Sequence, residues 1–189
     1  MTEENRISLP ERDQLSPEQA EAYDRIASGP RGKVEGPLAI WLYSPQLADR
    51  AQLLGEFARY KTSFEPRLSE LAILVTARHW TSHFEWAIHS KIAEKAGVSP
   101  AVIAAIKAGK TPQFVSDDEA AIHAFVSELL TTGKLSDEGL ARIRSMFGDK
   151  GAVELSAIVG YYSTCAFALA LAEPVLPDGT RECLPPKRG

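Results

Sequence analysis

The stretch Pro66–Gly97, PRLSELAILVTARHWTSHFEWAIHSKIAEKAG, decides how this chain folds. It shows no convincing alternation of apolar and polar residues, and its β-branched residues fall inside helical-period patterns, so it reads as helix and not strand. A break is written into it at Ser82: a serine N-cap followed three residues later by Glu85 matches the S-x-x-E capping box. The second helix then repeats Phe84, Ile88 and Ile92 every four positions, which predicts its core-facing stripe. Glu85 and His89 recur one step round, beside that stripe. A part-buried carboxylate there needs a partner, and the imidazole one turn on is the natural one.

The rest of the chain carries the same punctuation. SPEQAEAYDRIASG, SPQLADRAQLLGEFARY and SPAVIAAIKAG each open with a serine cap and a proline at the first helical position, where the missing N–H costs nothing. SDDEAAIHAFVSELLTTG and SDEGLARIRSMFG open with serine and acids suited to the positive end of the helix dipole, and both close on glycine. The long AVELSAIVGYYSTCAFALALAE follows. These segments predict an all-α, single helical domain of about eight helices over residues 16–174. Residues 1–15 read as an N-terminal arm, 175–189 as an extended C-terminal tail, and Ser28–Pro37 as a loop. Glu70-Leu71 and Glu154-Leu155 each open an apolar helix, a faint internal echo.

Composition excludes several classes. Of 189 residues, 44% are hydrophobic and 24% charged, the balance of a soluble globular protein. The net charge of −4 comes with no basic block, which argues against a nucleic-acid partner. The polar, acidic start MTEENRISLPERDQLSPEQ has no apolar core for a signal peptide, and no other stretch approaches the length needed to span a bilayer, so the expectation is a cytoplasmic protein without a membrane partner. Cys165 and Cys183 are too few and too far apart for a disulfide framework or a CxxC pair. Cys165 lies in an apolar run and reads as a small buried hydrophobe.

Taken singly, the polar residues of the central stretch have ordinary explanations. Glu85 can close a capping box, His89 can sit at a helix interface, and Glu70 can be a first-turn acid after Pro66. Trp86 can wall a pocket or fill the core, and Arg78 and His83 suit the surface. His79, His83, Glu85 and His89 would offer metal ligands on an unbroken helix, but the Ser82 cap predicts that they splay apart, so no metal is expected.

Together they carry more. Glu70 to Ile106, with its E-L-x-I-L opening, its E-W-x-x-H core and the ending AGVSPAVIAAI, resembles the signature region of the carboxymuconolactone decarboxylase family, which includes the alkylhydroperoxidase D-like proteins. The likeness extends more loosely from about Leu15 to Pro174 and implies that family's orthogonal helical bundle. Its peroxidase branch uses a glutamate, a CxxC pair and a histidine; here these positions hold Glu70, Ser82, Glu85 and His89. Both redox thiols are absent, and neither Ser nor Glu can replace a thiolate that is oxidised and then resolved.

The resemblance to the decarboxylase branch implies a different chemistry, one without metal or organic cofactor. His89 would act as general acid or base, with Glu85 as its orienting partner or a second proton carrier and Glu70 completing the set. A small anionic substrate would be bound by the amides near Ser82 with Arg78 or His83, against Trp86. The resemblance further implies a homo-oligomer, trimer or hexamer, with the final helix as interface. A peroxidase-like activity and a non-catalytic oligomeric binding protein are the alternatives.

Overall fold

The structure, a computed structural model, describes residues 6–7 and 11–186. A 3-10 turn, Arg12–Gln14, precedes eight α-helices: α1 Pro17–Ala27, α2 Pro37–Trp41, α3 Pro45–Tyr60, α4 Pro66–Trp80, α5 His83–Lys95, α6 Pro100–Lys107, α7 Asp117–Thr132 and α8 Asp137–Ala172. No strand occurs among the described residues, and the all-α expectation holds. Two details differ from it. The five residues of α2, begun by Pro37 behind Gly36, were too short to register as a helical period. The last two expected helices run together as α8, interrupted only at Gly148, whose φ of 68° and ψ of −178° lie where other residues hardly go.

The caps sort by chemistry. Ser16 forms a full capping box with Gln19, and Ser99 and Ser136 accept from the amides of Ala101 and Gly139. Ser44, Ser82 and Ser116 occupy the N-cap position without a side-chain cap bond. The expected box between Ser82 and Glu85 therefore does not form, because both side chains are turned inward and buried.

Helix α4 is the centre of the bundle and packs against α5, α6, α7 and α8. Every residue from Leu68 to Ala77 is buried. A helix apolar on all sides belongs in an interior, and this one draws its single acid, Glu70, in with it. Arg67, at its start, clamps it to α7 through Asp118 and Glu119, each at 2.7 Å. Glu154, the other half of the sequence echo, takes the amide and hydroxyl of Ser63 at 2.7 and 2.6 Å. Burial works against its charge, yet these donors and Lys150 hold the carboxyl below its ordinary value.

One sequence expectation needs correction. By length and composition α8 could cross a membrane, with a mean hydropathy of 1.6 over its best window. That window is 56% buried against the other helices, as in the core helix of a bundle. The expected N-terminal arm falls largely on residues 1–5 and 8–10, outside the described residues. Of the expected tail, residues 187–189 also lie outside them; the rest is not free, since Leu176 and Leu184 are buried and the amides of Cys183 and Leu184 donate to His83 Nδ1.

Two glycines of α8 should respond oppositely to alanine. A Cβ meets nothing at either Gly148 or Gly160, so only the backbone differs. Gly148→Ala is expected to cost about 1–3 kcal/mol in urea unfolding, whereas Gly160→Ala should gain about 0.5–1 kcal/mol. Equal effects would contradict the break at Gly148.

Candidate active site

Thr81, in the left-handed conformation at φ 54° and ψ 40°, ends α4 and lets the chain fold back into α5. The return brings His89 against Glu70. His89 Nδ1 lies 2.7 Å from Glu70 Oε2, with both side chains buried. A carboxylate oxygen accepts, so Nδ1–H donates, and Nε2 is left as the nitrogen able to exchange a proton. The expectation paired His89 with Glu85 one turn away; the structure pairs it across helices with Glu70. Tyr162 stands edge-on to the imidazole at 5.0 Å and to Tyr161 at 5.3 Å, forming an aromatic wall on α8.

Glu85 is the contrasting carboxyl. It is 4% exposed, and neither oxygen has a hydrogen-bond partner. Burial pushes its pKa up to about 8, against a smaller downward pull from the nearby Ser82 hydroxyl, which does not reach bonding geometry. Near neutral pH the group is therefore a neutral acid carrying a transferable proton.

Glu85 and His89 both line one cavity of about 230 Å³. Phe84, Ile88 and Ile92, expected to face the core, line it instead and are only half-buried, while Glu85, Trp86 and His89 lie deeper. Tyr161, Tyr162 and Cys165 come from α8. Three cations also line it, Arg31, Lys33 and Arg59. Lys33 is paired with Glu35 at 2.8 Å. The guanidinium carbons of Arg31 and Arg59 lie 5.9 and 5.1 Å from the Tyr60 ring centroid, and among the described residues neither arginine has an ion-pair partner.

The other residues singled out in the sequence are elsewhere. Arg78 donates through Nε to the Lys107 carbonyl at 3.0 Å, in a groove that it shares with His79 and His123. His83 accepts from the tail, and it lines a separate depression together with Ser82. Trp86 is core. The anion-binding role expected of Arg78, His83 and the Ser82 amides is thus without support from position; Arg31 and Arg59 hold the cationic places. Their only sequence signal was a pair of arginines in a loop and at a helix end, which are ordinary surface positions. Among the described residues no three His, Cys, Asp or Glu side chains gather in a metal-binding group.

Cys165 faces the cavity with its thiol pKa pushed well up by burial, while Cys183 lies in the tail against His83; both are free. No model of a known protein family matches the chain, and no curated protein matches it either. The chemistry therefore rests on the residues themselves.

The buried acid has a thermodynamic signature. Unfolded Glu85 ionises near 4.5 and folded Glu85 near 8, so between these values the unfolded state has released a proton that the native state retains. Stability should fall as pH rises through that window and level off above it, by an amount on the order of a few kcal/mol. Glu85→Gln should remove this slope, so that its stability relative to the parent protein rises from pH 5 to pH 8.5 in urea unfolding. A difference independent of pH would mean that Glu85 is not held protonated.

Proposed function

We propose that this protein is a cofactor-free lyase that decarboxylates a small, cyclic, unsaturated carboxylic acid of the carboxymuconolactone kind. The observation that carries the reading is the placement of a neutral, unpartnered Glu85 and a Glu70-oriented His89 in the lining of one cavity, beside two arginines that have no ion-pair partner among the described residues. Two carboxyls with different environments are how one site separates a proton donor from a charge that steadies a base.

In this reading Arg31 and Arg59 hold the anionic substrate. The bond to its carboxylate breaks, CO₂ departs, and the electron pair passes into the unsaturated ring as a dienolate. Glu85 gives its proton to the ring carbon, and His89, oriented by Glu70, returns one from water. One proton is consumed for each CO₂ released. The protein has only to stabilise the developing negative charge and place the proton.

The helix order and the Glu70 to His89 spacing support placing the chain as a divergent relative of the carboxymuconolactone decarboxylase family, with the alkylhydroperoxidase D-like bundle. A thiol peroxidase is disfavoured, since burial keeps Cys165 protonated. A scaffold protein is disfavoured by Glu85, whose unpaired burial costs stability and gains a scaffold nothing. Self-association belongs to the same proposal, supported by Val153, Phe167 and Leu171 exposed on α8.

The test is CO₂ release from a carboxymuconolactone-type lactone. Glu85→Gln and His89→Gln are each expected to lower kcat by about 10²-fold or more, with far-UV circular dichroism unchanged. Hydroperoxide consumption with a dithiol reductant should stay at background. Turnover that survives both substitutions would overturn the assignment, as would its absence in the parent protein.

A further inference from the structure

Gly55 of α3 is buried, and a Cβ there would run into the Tyr161 hydroxyl and come within 2.6 Å of Arg31 Nη2. Two donors from distant parts of the chain, the loop after α1 and the middle of α8, thus meet over one bare patch of helix backbone. Arg31 is steadied there by its other arm, whose Nη1 donates to the Gln52 carbonyl at 3.4 Å, and by the Tyr60 ring. Tyr161 is fixed by ring contacts with Trp41 at 6.2 Å and with Tyr162. Burial pushes its phenol pKa upward, so it stays a donor at neutral pH. Both residues line the cavity that holds Glu85 and His89.

The polar groups that this wall offers are mainly donors: a guanidinium with no carboxylate partner among the described residues, a phenol hydroxyl and the neutral Glu85, while Glu35, the other carboxyl of the lining, is taken by Lys33 at 2.8 Å. The complementary ligand is rich in acceptors and carries negative charge on oxygen. We infer that Tyr161 and Arg31, brought together by Gly55, form a two-donor cradle for the oxyanion of the bound ligand, the enolate or phenolate oxygen of a planar cyclic molecule. The inference builds on the proposed function, in which the cradle would hold the dienolate oxygen left when CO₂ departs.

A probe that does not react separates the two ideas. 4-Nitrophenol changes its visible absorption when it ionises, so its binding reads the phenol and phenolate forms separately. The parent protein is expected to bind the phenolate more tightly, lowering the pH at which bound probe ionises. Tyr161→Phe should weaken phenolate binding by about 10-fold or more while changing binding of the neutral phenol by less than about 3-fold. Gly55→Ala, which pushes the pair apart, should act in the same direction if it folds; Tyr161→Phe decides the matter if it does not. Phenolate affinity unchanged in Tyr161→Phe would overturn the cradle, and so would preference for the neutral phenol or absence of binding in the parent protein. Phenolate binding through Tyr161 without CO₂ release from any lactone would keep the cradle and remove the decarboxylase reading.

Discussion

The hydrogen bond between Glu70 and His89 is the constraint on which the rest of the molecule depends. Helix α4 is buried along ten consecutive residues from Leu68 to Ala77, so any polar side chain it carries must find a partner inside the protein. Glu70 finds one on the next helix, 19 residues on, and that requires the chain to reverse at Thr81 and bring α5 against α4 in one register. A buried acid and imidazole add little net stability, because desolvation offsets most of their attraction; removing one partner is what costs, about 3–5 kcal/mol. The pair is better understood as fixing which face of α5 meets α4. Once that face is set, Glu85, one turn before His89, has nowhere to point except inward.

The two carboxyls then diverge through environment alone. Glu70 is satisfied by an N–H donor, whereas Glu85 has burial without a bond and keeps its proton to about pH 8. The same contrast extends across the cavity, where the tyrosines of α8 and the arginines from the loop after α1 and the end of α3 present donors and positive charge. A bundle that buries an unpartnered acid gives up stability at one point, and the arrangement makes sense where that proton is put to use.

The fold was legible because its signals are local. Serine caps, prolines at the first helical turn and terminal glycines placed seven of the eight helices, and α2 escaped only because five residues hold too little periodicity. The site was half legible. The sequence named Glu70, Glu85 and His89, but spacing on one helix suggested the wrong partner for His89, since only packing of α4 on α5 brings Glu70 to it. The capping box at Ser82 failed for the same reason: tertiary burial drew Glu85 away from the helix end. Arg31, Tyr161 and the α3 pair Gly55 and Arg59 come from three separate stretches of chain, and no local pattern marks residues that meet only after folding.

The chemistry of the site turns on a carboxylic acid that stays protonated at neutral pH beside an oriented histidine. The most direct measurement follows the side-chain carboxyl ¹³C resonance of Glu85, assigned by its loss in Glu85→Gln, across a pH titration of the folded protein. A midpoint near 8, set by burial, is expected. A midpoint near the ordinary value of 4.5 would contradict it, because Glu85 would then be ionised at neutral pH with no proton to give.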